Sequence, residues 1–258
     1  MHFSIHVLEI DTGEFDFLVE GVEPVWSPDG QWIAYQGPDS GLWVVDVATG
    51  EAKKIFSVEK GHYEATDFAW SPDGKRIAFL KRETGLGGIP EMLAVNADGS
   101  GEAAQLIPRT GWSFGGLRWS PDRKIYYSSG AGEYTGPQIA GNLWAMDADG
   151  GHQIQLTKDV SISSADLSPD GNWLVFSGLH HYEELEPPYN LWLVSADASG
   201  LQRLTKDPIS DDHHPRWSPD GTQIVFERGD ENGIWTINLS DGSLKQVYPD
   251  NVDFAIVR

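Results

Sequence analysis

Trp26-Ser27-Pro28-Asp29-Gly30 decides the fold, because the chain returns to this stretch four more times. Ser-Pro-Asp-Gly is typical of a tight turn: proline presets φ, aspartate hydrogen-bonds the backbone ahead of it, and glycine tolerates a positive φ. A run of β-branched and aromatic residues follows each copy, so each unit begins with a strand, a turn and a second strand. The third copy ends in Arg123 instead of glycine, and the fourth has lost the tryptophan. The other copies begin at Trp70, Trp119, Leu167 and Trp217.

A second hairpin follows in every unit. In the first unit, the strand-like run 42–46 leads into the turn 48–50, and a fourth strand comes after it. An N-terminal copy of this hairpin covers residues 5–20, and residues 253–256 resemble a sixth first strand. The positions aligned with Trp26 recur at intervals of 39 to 50 residues. Four short strands at this period are the signature of a β-propeller, with one blade per repeat.

The repeats therefore predict an all-β, six-bladed β-propeller formed by residues 1–258 as a single domain. We expect the last blade to be closed by N-terminal and C-terminal strands, with residues 252–257 as its innermost strand. The predicted blades span residues 21–57, 64–108, 114–159, 163–207 and 212–249, and residues 250–258 together with 1–20.

Composition restricts the partners. The net charge is −21, from 39 acidic and 18 basic residues. A field of that sign repels phosphate backbones and anionic lipids, so we expect neither nucleic acid nor membrane insertion. The apolar runs are strand-sized, and the start of the sequence lacks a basic region with an apolar signal core. We expect a monomer that is cytoplasmic as written, or periplasmic or secreted if a signal peptide was trimmed.

The pattern Trp-Ser-Pro-Asp-Gly-x-x-Ile-Ala-Phe resembles the WD-like repeat of TolB-type propellers. It is also similar to the propeller domains of prolyl-oligopeptidase-type enzymes and to propeller lyases that act on oligogalacturonides. The resemblance covers essentially the whole chain and implies the fold. It implies no single function, because these residues pack blades together.

One motif has a catalytic appearance. Gly111-Trp112-Ser113-Phe114-Gly115 matches G-x-S-x-G in a form similar to that of prolyl oligopeptidases. That motif functions on a strand–turn–helix of an α/β-hydrolase sheet, whereas β-repeat sequence surrounds it here. We interpret it as a connector loop with an exposed tryptophan and predict no catalytic residue.

Two histidine pairs are candidates for a metal site. His180-His181 and His213-His214 lie in neighbouring blades, with Glu183, Glu184, Asp211 and Asp212 close in sequence. Imidazole and carboxylate suit a divalent transition metal, and some propeller lyases use a histidine-lined metal site. The alternative is that these histidines are solvated or packed between blades, because their spacing matches no ligand motif.

Loop length gives the main functional signal. Connectors from strand two to strand three, and from one blade to the next, are long, variable and predicted to share one face, here called the long-loop face. Binding residues concentrate on such loops, although divergence without function is the alternative. The candidate residues on this face are His62, Tyr63, Trp112, Tyr134, His180, His181, Tyr182 and His213.

The residues directly before the repeated tryptophan position predict a structural contact. In blades three, four and five they are Arg118, Asp166 and Arg216. Because consecutive first strands lie side by side, we predict an ion pair between blades.

The residues three positions before the tryptophan predict the channel mouth. Glu23, Asp67, His214 and Asp253 are the candidates, and Gly116 and Ser164 complete the ring. Gathered carboxylates favour a cation, either a divalent metal ion or a Lys or Arg side chain of a partner. Alternatively, the acids accept backbone N–H groups of neighbouring connectors.

The sequence thus favours a non-catalytic propeller that presents its long-loop face and acidic channel mouth to a protein or peptide. The alternative is a metal-assisted lyase or hydrolase acting on a saccharide at the channel mouth. An anionic saccharide would need a cluster of basic residues, and the candidates for it are few: Arg82, Arg109, Arg118 and Arg216.

Overall fold

The computed structural model describes residues 3–8, 15–84, 90–108, 112–131, 141–158, 160–180, 188–206, 210–229 and 233–248. These residues form strands and turns without any helix, which confirms the all-β prediction. Within the described ranges, no helix has the length and apolar character needed to cross a membrane.

Five four-stranded antiparallel sheets follow one another along the chain, and within each sheet the strands pair in chain order. Sheet 1 contains β3 (Val22–Trp26), β4 (Trp32–Gln36), β5 (Leu42–Asp46) and β6 (Ala52–Phe56); sheet 2 contains β7 (Tyr63–Trp70), β8 (Arg76–Glu83), β9 (Glu91–Asn96) and β10 (Ala104–Ile107). Sheet 3 contains β11 (Trp112–Trp119), β12 (Lys124–Ala131), β13 (Asn142–Asp147) and β14 (Ile154–Gln155). Sheet 4 contains β15 (Val160–Leu167), β16 (Trp173–His180), β17 (Asn190–Ser195) and β18 (Gln202–Arg203); sheet 5 contains β19 (Asp212–Trp217), β20 (Gln223–Arg228), β21 (Ile234–Asn238) and β22 (Leu244–Tyr248).

An N-terminal sheet pairs β1 (Ser4–Leu8) with β2 (Phe15–Glu20). It packs against sheet 1, because Ile5 and Val19 share a buried cluster with Ile33 and Tyr35. The described residues therefore form six sheets, as six blades require. The strand predicted at 252–257 lies outside the described residues, so closure of the ring stays a prediction.

The repeated turn is held by its own side chains. The Ser27 hydroxyl donates to Asp29 Oδ1 at 2.6 Å and accepts the Trp32 N–H at 2.9 Å. Gly30 has a φ of 70°, the left-handed conformation that glycine adopts without strain. The Ser27 hydroxyl bond lowers the pKa of Asp29, so the turn keeps its anionic acceptor. These bonds satisfy the strand ends locally, and the motif recurs between the first and second strands of each four-stranded sheet.

The apolar core lies between neighbouring sheets. One cluster joins Ala78 and Leu80 of sheet 2 to Leu117 and Ile125 of sheet 3. The Trp70 indole N–H also donates to the Val25 carbonyl of the preceding sheet at 3.0 Å. Trp70 thus connects adjacent sheets as well as filling space. We refer below to β3, β7, β11, β15 and β19 as the inner strands, because each contacts the next in this series.

Candidate functional site

The predicted mouth residues lie at bulges in the inner strands. The pairing register of β3, β7, β11 and β19 shifts at this position. Glu23, Asp67 and His214 have φ values of 55°, 58° and 49°, and Gly116 has 64°. A positive φ is uncommon for residues that carry a Cβ and costs about 1–3 kcal/mol each. Three residues other than glycine thus have a strained backbone at equivalent positions of their strands.

Hydrogen bonds link these positions from sheet to sheet. Glu23 Oε2 accepts the Asp67 N–H at 3.0 Å, and Asp67 Oδ2 accepts the Gly116 N–H at 3.3 Å. Both carboxylates therefore accept backbone N–H groups, which was the alternative to cation binding in the sequence analysis. These bonds also fix the bulges of sheets 1, 2 and 3 at one level.

These backbone hydrogen bonds do not neutralise the charges of the Glu23 and Asp67 carboxylates. Burial raises the pKa of Glu23, opposed by the Asp67 N–H; nearby Asp67 also raises it, and Arg82 lowers it. Glu23 is nevertheless exposed to solvent as a residue, so a ligand can reach it. Glu64 adds a third carboxylate, whose Oε1 lies 3.3 Å from Arg82 Nε. We call Glu23, Glu64, Asp67 and Arg82 the acidic group, because Arg82 pairs with Glu64 and also acts on Glu23, to which the Asp67 N–H donates.

A second charged unit lies on the inner strands of sheets 3, 4 and 5. Arg118 Nε lies 3.1 Å from Asp166 Oδ1, which is the ion pair expected between blades. Asp166 Oδ2 accepts the Trp217 N–H of sheet 5 at 3.0 Å. Burial lowers the pKa of Arg216, and the positive charge of Arg118 lowers it further. Asp166 therefore connects three sheets, and we call Arg118 and Arg216 the arginine pair.

The histidines of sheet 5 have partners other than a metal ion. His214 Nδ1 lies 3.0 Å from Glu227 Oε2, and the His213 ring lies 5.1 Å from the Tyr189 ring. Burial lowers the pKa of His213, which keeps its imidazole neutral near pH 7. Asp212 is fully buried in a two-bond pair with Arg228. No group of three possible metal ligands occurs among the residues the structure describes.

Several residues predicted on the long-loop face lie in strands instead. Tyr63 pairs with Glu83, Trp112 with Ala131, and His180 with Val160, so β-pairing continues beyond the bulges. The G-x-S-x-G motif accordingly runs into a strand, and its interpretation as a connector loop was wrong from residue 112 onward. His213 also lies within β19, whereas His62 lies in a turn. The reason is that a bulge bends a strand without ending it.

Part of the prediction falls on residues that the structure does not describe. Tyr134, His181, Tyr182 and Asp253 lie outside the described ranges, and so does Arg109. Of Trp112 and His180 the backbone alone is described. The candidate roles of these six side chains at the site, and that of Arg109, stay predictions.

Sequence reasoning missed Glu64, Glu227 and the buried Asp212–Arg228 pair as parts of this region. A signal existed for the pair, since Arg228 ends a strand with the apolar run Ile224-Val225-Phe226 at its centre, and a buried arginine needs a carboxylate. Glu64 has a weaker signal: it lies directly opposite Arg82 in the strand pairing, but only once the bulge is known.

Comparisons with known proteins bear on the fold. No protein-family model matches the sequence, and no curated protein matches it either. A solved oligogalacturonate lyase in complex with manganese superposes with a TM-score of 0.75 at 16% identity, covering 98% of this chain and 72% of its own. The chain shares its fold with that β-propeller.

Other propellers superpose as well. TolB from Acinetobacter baumannii gives a TM-score of 0.67 at 19% identity, over 96% of this chain and 60% of that protein. A prolyl endopeptidase gives 0.69 at 12% identity, over 98% of this chain and 39% of that protein. The resemblance read from the repeats is confirmed as a likeness of fold, and at these identities it extends no further.

Proposed function

We propose that this chain is a non-catalytic binding propeller whose channel mouth receives a basic side chain of a peptide or protein partner. The observation that carries the proposal is the acidic group. It has three carboxylates, those of Glu23, Glu64 and Asp67, against one guanidinium, that of Arg82, which pairs with Glu64; burial raises the pKa of Glu23. A partner ammonium or guanidinium would supply the missing positive charge where the ionised carboxylate is least well solvated.

The mouth requires a closed ring, which is also part of the proposal. Residues 250–258 would complete the N-terminal sheet and join it to sheet 5. Deleting residues 252–258 should then lower the melting temperature by several degrees, because the two chain ends would lose their mutual packing. A thermal melt that is unchanged by the deletion would contradict closure by this segment.

The binding test uses two short capped glycine–serine peptides that differ at one position, lysine in one and glutamine in the other. We expect the protein to bind the lysine peptide roughly tenfold more tightly, as one charge-assisted hydrogen bond implies. Asp67→Asn and Glu23→Gln should each remove the preference, and isothermal titration calorimetry measures it. Glu102→Gln is the matched control, because Glu102 is exposed on a hairpin turn. Equal affinity of the wild type for the two peptides would end this proposal.

The pH dependence follows from the raised pKa of Glu23. Its carboxylate is lost at a higher pH than that of an ordinary glutamate, so lysine-peptide binding should weaken already under mildly acidic conditions. The same shift makes the ionised Glu23 unfavourable for folding above the ordinary pKa of 4.5. Glu23→Gln should therefore not lower the melting temperature at neutral pH, which separates lost binding from lost folding.

A divalent cation at the mouth is the alternative ligand, and the manganese complex of the oligogalacturonate lyase motivates its test. Calcium and manganese are titrated against the same variants. Stoichiometric manganese that displaces the lysine peptide would favour the metal-assisted lyase or hydrolase over the peptide-binding propeller.

A further inference from the structure

Within the described residues, the arginine pair has one carboxylate in direct contact, that of Asp166 on Arg118. Arg118 and Arg216 come from sheets 3 and 5, and Asp166 of sheet 4 lies between them. The Arg118 side chain is 28% exposed and that of Asp166 is 18% exposed, so both are reachable from solvent but largely enclosed. Enclosed charges in proteins are normally paired.

Both carboxylate oxygens of Asp166 are already engaged. Oδ1 accepts Arg118 Nε at 3.1 Å, and Oδ2 accepts the Trp217 N–H at 3.0 Å. Arg216 Nη1 donates to the Pro215 carbonyl at 3.0 Å, and within the described ranges Arg216 has no ion pair. Besides Asp166, the carboxylate that acts on Arg216 electrostatically is that of Glu227, which lies 3.0 Å from His214 Nδ1. Two guanidiniums thus share one carboxylate, and nitrogen donors of Arg216 are left for a ligand.

We propose that Arg118 and Arg216 form a binding site for one carboxylate group of a peptide, an Asp or Glu side chain or a free C-terminus. A carboxylate fits because its two oxygens match the paired N–H groups of a guanidinium. It would also relieve the like-charge repulsion between the two arginines, which no neutral ligand can do.

A peptide carboxylate is favoured over a polyanionic saccharide by the rest of the mouth. The three carboxylates of the acidic group lie on the inner strands of sheets 1 and 2, and the chain has a net charge of −21. Repeated negative charges would meet repulsion there, whereas a single carboxylate with a nearby lysine or arginine would meet complementary charge at both places. The choice of a peptide over a saccharide rests on the proposed function, whereas the carboxylate site itself does not.

The test uses a capped glycine–serine peptide with one aspartate and its asparagine counterpart. Wild-type protein should bind the aspartate peptide roughly tenfold more tightly, measured by calorimetry. Arg216→Gln and Arg118→Gln should each abolish that preference, and added salt should weaken it. Arg123→Gln is the control, because Arg123 occupies the turn of sheet 3 instead of an inner strand. Should one arginine variant fail to fold, the comparison of the two peptides on wild type still decides.

The outcomes separate this inference from the proposed function. Equal affinity of wild type for the aspartate and asparagine peptides, or no binding of either, overturns the carboxylate site even if the lysine peptide binds. A preference for aspartate that survives both arginine substitutions also overturns it. Tighter binding of a galacturonate oligomer than of the aspartate peptide would overturn the peptide assignment. Glu23→Gln should leave the preference for the aspartate peptide unchanged. Loss of lysine binding at the acidic group can therefore be distinguished from loss of carboxylate binding at the arginine pair.

Discussion

Replacing Asp212 with asparagine is expected to lower the free energy of unfolding by about 3–5 kcal/mol. The Asp212 side chain is fully buried and that of Arg228 is 5% exposed. Arg228 Nε lies 2.8 Å from Asp212 Oδ1, and Nη2 lies 3.2 Å from Oδ2. Removing the carboxylate charge would take away the ion that Arg228 binds through two nitrogens inside the protein, which costs far more than an ordinary lost hydrogen bond.

The surroundings of the pair leave little room for adjustment. The Arg228 guanidinium lies 5.1 Å from the Trp235 ring centroid and 5.5 Å from that of Phe226. The Ser177 hydroxyl of sheet 4 donates to the Asp212 carbonyl at 2.6 Å. The pair therefore lies where sheets 4 and 5 meet, and water cannot easily replace the missing carboxylate.

Urea unfolding of matched variants measures the effect. Asp147→Asn is the control, because its pair with His152 is largely exposed and should contribute almost nothing. The double variant Asp212→Leu with Arg228→Met should recover much of the loss, since apolar replacement of a whole buried pair is often tolerated. A loss below about 1 kcal/mol for Asp212→Asn would show that the pair is better solvated than its burial indicates.

The features that the sequence predicted well are local. Ser27, Asp29 and Gly30 lie within four positions of each other, and their turn needs no distant contact. The same motif five times at a regular interval is enough to predict strands, sheets and the propeller architecture. Aligning the repeats also places equivalent residues side by side, which is why the Arg118–Asp166 contact could be anticipated.

Contacts that depend on a bulge could not be anticipated. Counting outward from the Trp217–Ile224 pair with regular pairing would place His213 opposite Arg228. The extra residue in β19 shifts the register, so Asp212 lies opposite Arg228. One inserted residue thus decides whether a buried arginine meets a carboxylate or an imidazole. Pro215 lies within the shifted pairing, and proline in a sheet is typical of a bulge or an edge, but it does not predict how far the register shifts.

The same cause explains the misplaced loop residues. Tyr63 and His180 lie beyond a bulge in polar sequence, and a polar run that follows a strand is typical of a loop. Pairing continues there because the long strands of sheets 2, 3 and 4 extend together past the bulge. The hydrogen bond from the Asp67 N–H to Glu23 likewise depends on the left-handed backbone of both residues. A glutamate in the sequence does not predict that conformation.

Replacing Asp166 with asparagine should change stability and binding in opposite directions. Asp166 pairs with Arg118 of sheet 3 and accepts the Trp217 N–H of sheet 5. Asparagine removes the charge that pairs with Arg118, so the variant should lose about 2–3 kcal/mol of unfolding free energy. The loss is smaller than for Asp212, because both charged side chains of the pair keep some contact with solvent.

Binding of the aspartate peptide should become tighter in the same variant, by roughly tenfold. Asp166 competes with the ligand carboxylate for the arginine pair, and asparagine keeps its shape and can still accept the Trp217 N–H. A purely structural Asp166 predicts lower stability with unchanged affinity, and an Asp166 that organises the site predicts weaker binding. Calorimetry below the melting temperature of the variant distinguishes the three results. Only tighter binding together with lower stability is consistent with two guanidiniums that share one carboxylate and accept a second.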